Sequence, residues 1–123
     1  MNVLVSFALW LIFAHWVADF VCQTHWQASN KSKNWEALTR HVVVYTVIMA
    51  ILLAPWLLDR IGIFVVITFA AHFATDAVTS RITARLYAKQ NWHYFFVVIG
   101  FDQFLHYTQL FLTLQWLTRL EWL

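Results

Sequence analysis

Cysteine and proline each occur once in this chain and glycine twice, among 123 residues. A lone Cys22 excludes an intramolecular disulfide and a thiolate-rich metal site, and it says nothing about redox compartment. Its expected role is that of a small apolar packing residue. So few turn formers leave no room for a linker or a low-complexity segment. Charge is scarce too: 11% of residues are charged, against about 25% in a typical soluble domain. With 62% of residues hydrophobic, the balance is that of a chain that dissolves in lipid. Met1 to Val5 carries no Lys or Arg, and His15 and Asp19 interrupt the apolar run that follows. The segment is therefore expected to be a retained first helix rather than a signal peptide. The few basic residues are split between two loops and form no stripe, which argues against nucleic-acid binding. No Ser-His-Asp or Cys-His nucleophile pattern is visible, nor a Gly-rich phosphate loop.

A membrane-spanning helix needs about 20 mostly apolar residues. Hydropathy divides the chain into four such spans, at about 2–23, 35–56, 61–86 and 92–117, forming a single domain over 1–123. The polar stretch Gln27–Asn34 separates the first two spans. Asp59-Arg60 turns the chain between the second and third, just after Pro55. Tyr87–Asn91 precedes the last span. Lys31, Lys33 and Arg40 lie at the first loop, and Arg81, Arg85 and Lys89 at the third. The opposite side has only Arg60 and Arg119, partly offset by Asp59 and Glu121. The positive-inside rule then places loops one and three in the cytoplasm. Trp26, Trp35 and Trp92 fit an inner aromatic belt, and Trp56, Trp116 and Trp122 an outer one. The expected fold is all-α: an antiparallel four-helix transmembrane bundle embedded in a lipid bilayer, with both termini on the non-cytoplasmic side.

An ionisable side chain inside a membrane costs at least roughly 2.5–3.5 kcal/mol and calls for a partner or a purpose. Seven such residues fall within the spans: His15, Asp19, His41, His72, Asp76, Asp102 and His106. Each aspartate stands four residues from a histidine, so each pair shares one helix face. Spans one and three read His then Asp, and span four, running the other way, reads Asp then His. This order predicts an aspartate layer near the cytoplasmic leaflet and a histidine layer about 6 Å deeper. His41 enters span two near the aspartate layer. Four imidazoles and three carboxylates on facing helices are a ligand set of the kind found in carboxylate-bridged metal bundles. They suit one or two divalent ions, zinc first, with iron or manganese as alternatives. Simple Asp–His pairing to hold the helices together gives little return, at about 0.6 kcal/mol per hydrogen bond in membranes.

Gln23 continues the first span's polar face and Gln103 neighbours Asp102; either can bind substrate or cap polar groups. Arg81 and Arg85 can grip an anion or simply snorkel to headgroups. His25 and His93 read as solvated interfacial residues. Thr24, Asn30, Ser32 and Thr79 read as ordinary helix-end or loop residues. The expected activity is metal-dependent hydrolysis of an anionic or lipid-linked substrate, with Asp19 or Asp102 as general base. The alternative is a metal-ion or proton transporter or channel, as a homo-oligomer. The apolar outer halves, Val3 to Ala14 and Val42 to Leu53, weigh against a through-path. A b-type haem protein is a weaker reading, because two glycines leave little space for a porphyrin, and a purely structural or holin-like protein would not need the cluster.

Four motifs carry a resemblance over nearly the whole chain: His15-x-x-Ala18-Asp19-Phe20-x-x-Gln23-Thr24, Leu38-x-x-His41, His72-x-x-x-Asp76, and Phe95-Phe96-Val97-Val98-Ile99-Gly100-Phe101-Asp102-Gln103-x-x-His106. They resemble a family of small bacterial and phage membrane proteins classified only as a domain of unknown function. The resemblance implies a multi-pass protein of the bacterial inner membrane, encoded by a bacterium or a phage, and supplies no activity. In polar pattern alone the chain is also similar to small membrane proteins suspected of being metal-dependent hydrolases.

Overall fold

A computed structural model describes residues 2–118, helical apart from short connections, with no strand among them. Arg119, Glu121 and Trp122, used above for orientation and belts, lie outside the described residues. The helices are α1 (Val3–Trp16), continued by a π turn (Val17–Val21), α2 (His25–Asn30), α3 (Trp35–Leu57), α4 (Ile61–Ala88) and α5 (Trp92–Thr118). Their starts are written in side chains. Asn2 accepts from Leu4 N, and Asn34 accepts from Glu36 N and Ala37 N. Thr24 and Gln27 exchange a reciprocal capping box, satisfying backbone donors that a helix start leaves bare. That box is why the polar stretch expected as plain loop contains a short helix.

Three helical stretches are long and apolar enough to cross a membrane: Val3–Val21, Trp35–Ala88 and Trp92–Thr118. This marks the chain as a membrane protein. The middle stretch has 54 residues. Unbroken, it would run about 80 Å, far beyond a hydrocarbon core of about 30 Å. A single 3-10 turn, Leu58–Arg60, interrupts it, and Leu58 takes φ 48° to reverse the chain. Afterwards α4 returns along α3: Ala54 and Ile61 line one groove, Trp35 stacks on Phe73, and Arg81 lies over the Trp35 ring. Pro55 removes one backbone donor near the end of α3. Close by, the Leu52 carbonyl accepts from the Trp10 indole at 3.1 Å, tying α1 to α3.

Each long helix buries one stripe. In α4 it is Phe64, Thr68, His72, Asp76 and Ser80, at a strict spacing of four. In α3 it includes His41, Tyr45, Met49, Leu53 and Leu57, and in α5 His106, Leu110, Leu114 and Leu117. Apolar residues of these stripes meet Phe7, Leu11, Ala14 and Ala18 in one hydrophobic core. Polar members of the stripes gather at the end of that core nearer α2. Val43, Val47, Ile51, Val66, Phe104 and Leu112 face outward. Such exposure is a liability in water and ordinary in lipid.

Leu58 is 73% exposed at a backbone angle that suits glycine. Leu58→Gly is therefore expected to leave stability unchanged or raise it by up to about 1 kcal/mol, read as thermal unfolding in detergent. A clear loss of stability would show that the Leu58 side chain itself holds the turn.

Candidate metal centre

The polar ends of the stripes converge on one point. His41 Nε2 and His72 Nε2 are 3.2 Å apart. Asp19 Oδ1 lies 3.0 Å from the first and 3.4 Å from the second. Asp76 Oδ2 lies 3.3 Å and 3.6 Å from the same two nitrogens. All four residues are buried, and their facing atoms lie within 4.8 Å of one another. Nitrogen and oxygen ligands about 2.0–2.1 Å from a tetrahedral zinc stand about 3.3 Å from each other. The separations found are those of such a set. Hydrogen bonding does not satisfy all of these atoms at once. Two imidazole nitrogens facing at 3.2 Å share at most one proton between them. Asp19 Oδ1 receives no well-directed hydrogen bond, although His41 is close.

A second group of three, Asp19, Asp102 and His106, adjoins the first. His106 Nε2 is 3.4 Å from Asp102 Oδ2 and 3.1 Å from Asp76 Oδ1. Asp76 thus turns one oxygen toward each group, and Asp19 belongs to both. Carboxylates placed this way are those that bridge paired ions in helical bundles.

The expected separation into an aspartate layer and a deeper histidine layer does not hold at the level of side chains. An imidazole spans the one turn to its own aspartate: the pairs within a helix stand at 3.5 Å for His15–Asp19, 3.6 Å for His72–Asp76 and 3.4 Å for His106–Asp102. The layers merge into one cluster.

His15 stands outside both convergent groups because both ring nitrogens are engaged. Its Nδ1 is 2.8 Å from the Tyr45 hydroxyl and its Nε2 is 2.8 Å from Gln103 Oε1. Since the amide oxygen only accepts, Nε2 carries the proton and Tyr45 donates to Nδ1. Gln103 Nε2 then donates to Asp102 Oδ2 at 3.1 Å and to Asp19 Oδ2 at 3.3 Å. The chain Tyr45–His15–Gln103 is a one-way relay of donors ending on two carboxylates. Tyr45 also stacks on His72, with centroids 3.8 Å apart, and His72 stacks on His106 at 4.1 Å. His72 Nδ1 has no hydrogen-bond partner, so this ring is oriented by stacking rather than by an outer hydrogen bond.

Local backbone features set these positions. Asp19 sits on the π turn, closed by Cys22 N on Val17 O at 2.9 Å. Single π turns within helices recur at functional sites. The capped α2 delivers Lys31, whose Nζ donates to Asp76 Oδ2 at 2.8 Å. Burial works against that ammonium, but Asp76 and then Asp19 outweigh it and hold the Lys31 pKa above the usual lysine value. Thr79, read from sequence as ordinary, donates to Asp102 Oδ1 at 2.5 Å.

A cavity of about 630 Å³ opens from the cluster toward α2. Asp19, Asp76, Asp102, Gln23, Gln103, Lys31, Lys33 and Thr79 line it. Arg81 and Arg85 do not. Arg81 is spent on the Trp35 ring and on the Ala77 carbonyl, and Arg85 is exposed. His25 and His93 are exposed too, away from the cluster. Tyr45 was missed as a member of the site, and Lys31, expected with Lys33, Arg81 and Arg85 to favour an anionic substrate from the cytoplasmic leaflet, was not expected to bind Asp76. Tyr45 stands one turn after His41 on the same face, a signal that sequence carries. Lys31 gives none, because its reach depends on α2.

No curated protein and no solved structure matches this chain. A family model described as "Protein of unknown function (DUF3307)" matches residues 7–122, a stretch that includes every residue of the cluster, and the chain belongs to that family.

Proposed function

We propose that this protein is an intramembrane metalloprotein, an antiparallel bundle of four transmembrane helices with both termini on the non-cytoplasmic side, that hydrolyses an anionic or lipid-linked substrate. The bilayer would be the bacterial inner membrane. One observation carries the reading: facing atoms of four buried residues, His41, His72, Asp19 and Asp76, lie within 4.8 Å of one another, as ligands of one ion would. Asp102 and His106, with the shared carboxylates, would hold a second ion. An imidazole and carboxylate set without thiolate suits zinc, then iron or manganese.

Metal bound there supplies Lewis acidity and makes water acidic enough to ionise near neutral pH. The chain's own groups do the rest. With a single ion held by His41, His72, Asp19 and Asp76, Asp102 is the better general base of the two aspartates considered, because it is not among those four ligands; a second ion would take it out of that role. Water's oxygen bonds to the phosphorus or carbonyl carbon, the bond from that centre to the ester oxygen breaks, and Asp102 passes water's proton to the departing oxygen. The products are an alcohol and an acid. Thr79 and Gln103 hold the Asp102 carboxylate for this task. Lys31 and Lys33 at the cavity favour an anionic substrate.

Protein purified in detergent should contain about one or two equivalents of zinc, iron or manganese by elemental mass spectrometry. His72→Ala with Asp76→Ala should lose them. A wild-type protein that takes up no metal even after reconstitution ends this reading.

Lys31→Met tests the charge balance separately. In chelator, Asp76 loses its cation and stability should fall by about 1–3 kcal/mol. Added zinc should restore most of the loss, because the ion supplies the missing charge. An equal loss with and without zinc would mean that Lys31 acts only through packing.

A further inference from the structure

The cavity has a second, apolar wall. Phe20 on the π turn, 47% exposed, and Phe95 and Ile99 on α5 line it together with the polar groups. Phe20 therefore belongs both to the cavity and to the outer face of the protein. α5 packs chiefly on α4. Near the cluster its ties to the first helix are side-chain bonds, from Gln103 to His15 and to Asp19. Between the π turn and α5 the boundary of the cavity is thus made of side chains, with lipid beyond. At the polar end, Ser80 is buried and its Oγ has no partner, and Gln23 Oε1 is likewise unpartnered. Both residues line the cavity. Three carboxylates line the cavity beside Lys31 and Lys33, and a divalent metal held by those carboxylates would add the charge that draws an anion.

We infer that the ligand of this cavity is a phosphate-headed amphiphile that enters sideways from the lipid, between the π turn and α5. This rests on the metal reading above and adds the substrate class and its route. The phosphate sits between the metal ligands and Lys31. The first part of its hydrocarbon chain lies on Phe20, Phe95 and Ile99, and the remainder stays in the bilayer. A cavity of this size accommodates a headgroup and a short stretch of chain.

The test uses the full chain in phosphatidylcholine nanodiscs, with zinc content measured on each sample and binding read by calorimetry against empty discs. Dodecylphosphonate, which has no ester bond to hydrolyse, is the probe, and methylphosphonate is the headgroup without its tail. Zinc-loaded protein should bind dodecylphosphonate well above empty discs. Methylphosphonate should bind about a hundredfold more weakly, since it lacks the tail that confines the headgroup to the bilayer. Ile99→Trp, which fills the apolar wall, should weaken dodecylphosphonate about tenfold or more at unchanged zinc content. Equal affinity for the two phosphonates would make this a site for free phosphate and overturn the lateral route. Zinc-loaded protein that binds neither overturns the substrate class while leaving the metal centre standing. Dodecylphosphonate bound equally well without zinc would instead remove the metal from ligand recognition, and a chain that holds neither zinc nor phosphonate refutes both readings.

Discussion

Two carboxylates buried beneath a lipid-facing surface must be compensated, and the rest of this structure depends on how that is done. Asp19 and Asp76 are nearly inaccessible. An isolated carboxylate moved from water to such surroundings loses several kcal/mol even after relaxation. Compensation comes from every helix. Histidines from α3, α4 and α5 approach within 3.0–3.6 Å. Gln103 donates to Asp19 from α5, and Lys31 to Asp76 from the end of α2. Yet Asp19 Oδ1 still lacks a well-directed donor, and Lys31 is the one ammonium among the groups set against these carboxylates. Asp19 Oδ1 is thus the carboxylate oxygen that a bound cation would partner.

The same demand explains the uneven construction of the molecule. Where the stripes are apolar, Leu11, Met49, Leu53, Phe64, Leu110 and Leu114 interlock fully buried. Where they turn polar, regular helix gives way. The π turn interrupts α1 at Asp19, α2 is inserted, and α5 is held to the first helix through a glutamine. A dry, close-packed end anchors the helices, so the other end can hold open a cavity without losing the positions of its ligands. Tyr45 joins the two halves. Its ring lies in the apolar core and on His72, while its hydroxyl starts the relay through His15.

Much of this was legible before any coordinates. Helix bounds followed from hydropathy to within two residues for α3, α4 and α5, because lipid enforces long uninterrupted apolar stretches. The i, i+4 pairing of each aspartate with a histidine placed His72 and Asp76, and Asp102 and His106, on inward faces. What escaped the sequence was everything set by reach or by irregular backbone. Periodicity does not encode the π turn at Asp19. Lys31 looked like one more cytoplasmic charge until the Thr24–Gln27 capping box turned the chain back over Asp76. His15 matched the motif of a ligand as well as His72 does, yet Tyr45 and Gln103 occupy its nitrogens. Spacing places a side chain on a face; only neighbours decide which atom is free.

The same packing bears on catalysis and transport, two readings that share one inventory of residues. A path for ions needs polar groups or water on both sides of the cluster. Here the cluster opens on one side, into the cavity under α2. On the other, the stripes beyond His41, His72 and His106 continue as Tyr45 and Met49, Thr68 and Phe64, and Leu110 and Leu114, all buried. Thr46, Thr68 and Thr113 are buried there as well, and Gln109 donates to Thr68 at 3.5 Å and to Thr113 at 3.0 Å. An ion passing that way would have to part Phe64, Met49, Leu53 and Leu114, all fully buried in one core. A cavity that opens on one side of the ligands fits the proposed hydrolase better than a path for ions, and its apolar wall fits a substrate drawn from the bilayer.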